Sequence, residues 1–184
     1  GVGFYNSKSR IPVRICSRTK GEKLDEAFFR TRLLAAKALR DACFSGAVPP
    51  VFRLVWSEAD FLPGLIIDRY EEVWVLQTLT LAMDQRKAII VALLKELFGA
   101  RTIIERNDVA SRDFEGLSQQ KGVIAGEALP KTVVRLGEGK FEVDLLEGQK
   151  TGEYLDQVAN QVAVGRLCKG RRVLDCFTYH GGFA

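Results

Sequence analysis

The chain has 184 residues and a formal net charge of +4, with 47% hydrophobic and 27% charged residues. That length allows one domain or two small ones, and the composition excludes a disordered or fibrous chain. The longest apolar run, Ala88 to Leu94, is far too short to span a bilayer, and the start has no signal-peptide pattern. Four scattered cysteines (Cys16, Cys43, Cys168, Cys176) form no C-x-x-C pair, which argues for reduced thiols in a cytoplasm and against a disulfide framework or a cysteine zinc site. With His180 as the one histidine, a histidine-rich metal site is excluded, and no metal is assigned.

In chain order, Ile11 to Arg18 alternates apolar and polar side chains and predicts a strand whose partners lie upstream. Residues 24–44 carry apolar groups at helical spacing, and Gly46 with Pro49-Pro50 closes that helix. Val51–Trp56, Leu65–Asp68 and Val73–Leu79 read as strands around the turn Asp60 to Gly64. Asp84 is expected to cap a helix running to Phe98, ended by Gly99. Thr102–Glu105 is a further strand, and 107–121 is polar and irregular. Thr132–Arg135 and Lys140–Leu146 read as strands joined through Gly137-Glu138-Gly139, residues 156–168 as a helix, and 172–176 as a last strand. The fold class expected is α+β, a central mixed-sheet α/β module.

Charge is unevenly spread. Lys8, Arg10, Arg14, Arg18 and Lys20 occur within the first 20 residues with no acid among them, and Arg166, Lys169, Arg171 and Arg172 form a second cluster. Basic stretches beside Phe4 and Tyr5 suit a phosphate backbone, although composition alone favours a solvated face or a protected strand edge.

Two blocks stand out. In Gly148-Gln149-Lys150-Thr151-Gly152-Glu153-Tyr154-Leu155-Asp156-Gln157, two glycines bracket hydrogen-bonding groups immediately before a helix, where free backbone N–H groups suit an anion. By itself this block reads as an ordinary turn with Asp156 as N-cap. In Asp175-Cys176-Phe177-Thr178-Tyr179-His180-Gly181-Gly182-Phe183, an acid at a strand tip opens into a glycine turn that lets backbone approach a ligand. Such a turn should feed a helix and more parallel strands, so the chain reads as a fragment that stops at the threshold of a cofactor-binding domain.

Taken together, the two blocks resemble those of the class I S-adenosylmethionine-dependent methyltransferases of the large-subunit ribosomal RNA cytosine-5 type. Supporting matches are Gly3-Phe4-Tyr5-Asn6-Ser7-Lys8-Ser9, Glu58 to Tyr70, and Ile104-Glu105-Arg106-Asn107-Asp108, so the resemblance spans essentially the whole chain. It implies the end of a PUA-like RNA-binding domain at 1–18, a central α/β domain at 20–130, and a truncated Rossmann-like methyltransferase domain from 131 to 184. It further implies S-adenosylmethionine as cofactor. From the first block Gln149, Lys150, Thr151, Tyr154, Asp156 and Gln157 would face it; from the second, Asp175, Phe177, Thr178, Gly181, Gly182 and Phe183. Ribosomal RNA is the implied partner, contacted by Lys8, Arg10, Arg14 and Arg18, with a homodimer as a further expectation. The implied chemistry is covalent: a cysteine thiolate adds to carbon 6 of cytosine so that carbon 5 takes the methyl group. None of the four cysteines occupies the nucleophile's place, no catalytic residue is assigned, and the fragment is expected to be inactive alone. The competing reading is an RNA-binding module without catalysis. The sequence departs from the family pattern at Glu153, Val158, Tyr179 and His180.

Overall fold

Five strands form a mixed sheet in the order β3-β4-β5-β6-β7, and both of its faces are covered. The computed structural model describes residues 1–127, 131–137 and 139–183. Residue 130, where the central unit was expected to end, Glu138 of the expected turn, and Ala184 lie outside the described residues.

The chain opens with β1 (Val2–Tyr5) and β2 (Val13–Ser17), paired antiparallel. The expected strand at 11–18 therefore finds its partner inside the segment, because Asn6 to Pro12 turns the chain back and the Asn6 N–H closes on the Pro12 carbonyl at 2.9 Å. Helix α1 (Glu26–Cys43) starts at Asp25, whose side chain accepts from the Phe28 N–H, and buries Phe28, Phe29, Leu33 and Ala36 along one face. Gly46, at φ +80°, ends it by donating to the Asp41 carbonyl.

The strands β3 (Val51–Trp56), β4 (Leu65–Tyr70) and β5 (Val73–Thr78) form an antiparallel meander. The chain then crosses over through α2 (Leu81–Asp84) and α3 (Lys87–Phe98) to β6 (Thr102–Asn107), which lies parallel to β5. Asp84 does not cap this helix as expected. It ends α2, and its carboxylate accepts from Thr78 and Arg112, so the helix restarts at Lys87; Gly99, at φ +66°, stops it as expected. The polar stretch 107–121 holds a 3-10 turn (Ala110–Glu115) and the start of β7 (Gln120–Ala125), an edge strand without strict alternation that the sequence reading missed.

The strand period of two sorts side chains between the faces. Leu65, Ile67, Trp74, Leu76 and Ile103 pack with α1 and α3, while Tyr70, Val73, Val75 and Ile104 point the other way. That second face is covered by the hairpin of β8 (Lys131–Leu136) and β9 (Gly139–Asp144), through Val134, Leu136, Val143 and Leu145. All six residues of β5 are consequently buried, although the sheet is largely antiparallel. The mixed-sheet expectation is met.

At the free edge of β3, side chains satisfy the backbone: the Trp56 N–H donates to Asp60 Oδ2 at 2.6 Å and the Arg53 carbonyl accepts from Arg40 Nε at 3.1 Å. After β9 the chain runs through a loop and a 3-10 turn into α4 (Val158–Cys168). Residues 172–176 form no strand, in contrast to the sequence expectation. Among the described residues no strand lies beside them, and Val173 and Leu174 stay exposed.

The β1–β2 pair is fastened to the central unit by Glu115, which accepts from Ser9, from Asn6 Nδ2 at 2.9 Å and from the Leu81 N–H at 3.3 Å, and faces Arg14 at 3.4 Å. Burial alone would raise the Glu115 carboxyl, but these donors and the Arg14 charge outweigh it and hold it below its ordinary value. The folded chain thus releases the proton more readily than the unfolded one. The stabilisation is complete above the ordinary glutamate value of 4.5 and is lost as pH falls through the folded value. Denaturant titrations at neutral and acidic pH should show this loss. Glu115→Gln should flatten it and cost about 1–3 kcal/mol at neutral pH, as for a buried charge-assisted set of hydrogen bonds.

Candidate functional site

A carboxylate in the middle of an apolar strand organises the loop that follows β9. Asp68 on β4 is fully buried and accepts a two-pronged pair from Arg53, at 2.7 Å from Nε and 2.8 Å from Nη2. Its Oδ2 also accepts the Thr151 hydroxyl at 2.6 Å, from 83 residues away. Because the Thr151 proton goes to Asp68, the Tyr70 hydroxyl at 3.1 Å donates to Thr151, and the Glu153 N–H donates in turn to Tyr70 at 3.0 Å. Burial first, then the Asp68 charge, push the Tyr70 phenol well above its usual value, so it stays a neutral hydroxyl. Arg106 on β6 adds a second anchor, donating to the Leu145 carbonyl at 3.1 Å and the Gly148 carbonyl at 2.7 Å.

So held, the loop takes an unusual path. Lys150 adopts a left-handed φ of +54°, and Gly152, at φ +138°, has no room for a Cβ, which would meet Leu145 Cδ2 at 2.7 Å. Lys150 Nζ pairs with Asp156 at 3.1 Å and lies over the Tyr154 ring at 4.1 Å. Partial burial raises the Asp156 carboxyl, but the Lys150 and Gln157 hydrogen bonds prevail and hold it below the usual carboxylate range. Asp156 is not the helix cap expected of it; α4 begins at Val158 without a side-chain cap.

The second block comes back against this loop. The Tyr179 hydroxyl accepts the Gln149 N–H at 3.0 Å, His180 Nδ1 meets the Glu153 carboxylate, and the His180 and Tyr179 rings stack at 3.9 Å. A Cβ on Gly182 would run into the Gln161 amide, and Gly181 sits at φ +77°. Between the blocks lies an open cavity of about 930 Å³. Gln149, Lys150, Tyr154, Asp156 and Gln157 line one wall, and Asp175, Phe177, Thr178, Gly182 and Phe183 the other. Both expected blocks therefore meet at one cavity of a size ordinary for small-molecule sites. Thr151 and Gly181 are not on its wall: Thr151 is turned back into the sheet, and Gly181 shapes the turn.

The sequence reading did not single out Asp68, Tyr70, Arg53 and Arg106 as parts of the site, nor Gln161 and Glu153. The signal was an acid inside Leu65-Ile66-Ile67-Asp68, where a charge on an apolar strand demands a buried partner. Among the described residues no three His, Cys, Asp or Glu side chains converge as metal ligands.

The four basic residues at the start lie elsewhere. Arg14 is engaged by Glu58 at 3.1 Å as well as by Glu115, Arg10 lies over the Phe114 ring at 3.6 Å, and Lys8 and Arg18 are exposed. Of the cysteines, Cys16 is buried and burial pushes its thiol up to about 11, Cys43 and Cys176 are exposed, and Cys176 lies on the cavity wall.

Comparison with known proteins places these features in context. No family model matches the chain. It is 41% identical over 182 residues to a protein of Photobacterium profundum named ribosomal RNA large subunit methyltransferase I, 98% of this chain and 46% of that protein. Proteins of the same name from Tolumonas auensis (39% over 183 residues, 98% of this chain) and Shewanella amazonensis (40% over 185 residues, all of this chain) are equally similar, each with 46% covered. The chain spans about half the length of the curated relatives it matches. Among solved structures, a candidate S-adenosylmethionine-dependent methyltransferase from Streptococcus mutans superimposes with a TM-score of 0.72 at 19% identity, over 89% of this chain and 42% of that one. A candidate methyltransferase solved with S-adenosylhomocysteine gives 0.65 at 20% identity, over 79% of this chain and 36% of that one. These two likenesses establish the fold.

Asp68→Asn removes the charge facing Arg53 and presents an amide donor where Thr151 needs an acceptor. It should cost about 3 kcal/mol, the lower end for breaking a buried pair because Arg53 keeps some exposure. Amide exchange at residues 148–153 should accelerate more than in α1. Thermal denaturation and hydrogen-exchange mass spectrometry check the two effects.

Proposed function

We propose that this chain carries the central module and the cofactor threshold of an S-adenosylmethionine-dependent methyltransferase acting on large-subunit ribosomal RNA, with cytosine carbon 5 as the target. The observation that carries the reading is the meeting of the two sequence blocks at one cavity, on a loop held by the central sheet. The name shared by relatives about 40% identical over nearly the whole chain supports it. In this reading residues 1–18 end a PUA-like RNA-binding domain, 20–130 are the central domain, and 131–184 begin the methyltransferase domain. A cytoplasmic location and a homodimer go with it; among the described residues no helix is long and apolar enough to cross a membrane.

The cavity fits the cofactor: glycine backbone on one side allows close approach, and the other side offers amide, phenol and carboxylate groups. Gln149, Tyr154 and Gln157 would hold it from the loop, and Asp175, Phe177, Thr178, Gly182 and Phe183 from the turn. Bound there, the cofactor supplies an electrophilic methyl group on a sulfonium. The loop would position the cofactor through backbone held by Tyr70 and Arg106, and the Lys150–Asp156 pair ties the loop to the entry of α4. We assign no catalytic residue within the chain; Cys16 is excluded by burial and its raised thiol.

The second reading, an RNA-positioning module, is favoured by guanidinium groups over exposed rings, Arg10 over Phe114 and Arg32 over Phe61 at 4.9 Å. It separates from the first by the ligand bound. On the enzyme reading these 184 residues alone should bind S-adenosylmethionine only weakly, because one side of the cavity is open; calorimetry showing micromolar affinity would overturn this expectation. For RNA, alanine at Lys8, Arg10 and Arg18 should weaken binding to ribosomal RNA hairpins and reduce the salt slope. Arg14→Ala, already committed to Glu58 and Glu115, should lower stability more than affinity. Equal salt slopes for the parent and triple variant would remove this stretch from RNA binding.

A further inference from the structure

Glu153 is a buried carboxylate whose two oxygens face different elements. Oε1 accepts the Tyr154 N–H at 2.7 Å, and Oε2 meets His180 Nδ1. Its side chain is 6% exposed and the His180 ring 28%, so the contact lies largely out of water. An ionised carboxylate only accepts, so the hydrogen between them sits on Nδ1. Meanwhile the backbone N–H of Glu153 donates to Tyr70. One residue therefore joins the central sheet on its main chain and the glycine turn on its side chain.

Regular structure does not fix that turn. Residues 172–183 form no helix or strand, and Leu174 and Phe177 lie in solvent. Besides His180, contacts on it among the described residues include the Tyr179 hydroxyl on the Gln149 N–H, the edge of Tyr154 against Tyr179 at 6.0 Å, and Gly182 against Gln161. Tyr179 and His180 immediately precede Gly181 and Gly182, so the separation of the two cavity walls is set where they grip.

We propose that Glu153 and His180 are a positioning pair that holds the glycine turn at the spacing the cofactor needs. The proposal rests on reading the cavity as the cofactor site, and its two measurements separate them. In the 184-residue chain, hydrogen exchange at residues 178–183 should accelerate about tenfold in His180→Ala and in Glu153→Gln, the equivalent of losing about 1.4 kcal/mol of local order. The double variant should be no faster than either single one. His180→Asn, whose side-chain amide can donate near the position of Nδ1, should restore most of the protection, and nitrogen-15 NMR of the parent should show a protonated Nδ1. Carried in a protein of the length of its relatives, the same variants should raise KM for S-adenosylmethionine about tenfold and leave kcat within about twofold, since the pair touches no reacting atom. Unchanged exchange in both single variants, or additive effects in the double one, overturns the pair. Faster exchange with an unchanged KM overturns its link to the cofactor while leaving the contact itself established. An unsubstituted protein of the relatives' length that binds no S-adenosylmethionine overturns the cavity reading instead.

Discussion

The site depends on one carboxylate that has no water. Asp68 sits in the middle of the central sheet, and a lone charge there would be prohibitively unfavourable. Arg53 answers it with a two-pronged pair from the neighbouring strand, and Thr151 completes its shell from the loop that follows the hairpin. From that point every donor has one direction left: Thr151 gives to Asp68, Tyr70 to Thr151, the Glu153 backbone to Tyr70. Hydrogen bonds aligned in one sense polarise one another, which makes the loop more rigid than its irregular backbone suggests.

The same constraint explains why the sheet is closed on both faces. An antiparallel sheet can leave one side wet, and the alternation along β4 would allow it. Here the second face carries Asp68 and Tyr70 among Val51, Val73, Val75 and Ile104, and the β8–β9 hairpin excludes water from the carboxylate and strengthens its pairs. Stability and site geometry are thus supplied by one layer of contacts.

Much of this was readable in the amino acids. The helix at 26–43, the three strands from Val51 to Thr78 and the hairpin follow from period, glycine and proline, and both site blocks were visible as glycine-bracketed polar runs. What escaped were places where a tertiary partner overrode a local signal. Asp84 looks like a helix cap, but Arg112 and Thr78 claim its carboxylate. Gln120–Ala125 lacks a strand's alternation and becomes one because β6 offers it an edge. Val173-Leu174 has the composition of a strand and no neighbour to pair with. Thr151 looks like a ligand group in a polar run, and only the structure shows the buried carboxylate that takes its hydroxyl.

The span of these contacts has a kinetic meaning. Thr151 and Glu153 reach Asp68 and Tyr70 across more than 80 residues of chain, whereas the β4–β5 turn is nearly immediate. Loop closure over such a separation is entropically costly until the surfaces it joins exist. Loop-closure entropy therefore favours assembly of the meander and its helices before the hairpin and loop close over Asp68. On a ribosome this order is also the order of synthesis, so the nascent chain completes its scaffold before the segment that will use it has emerged.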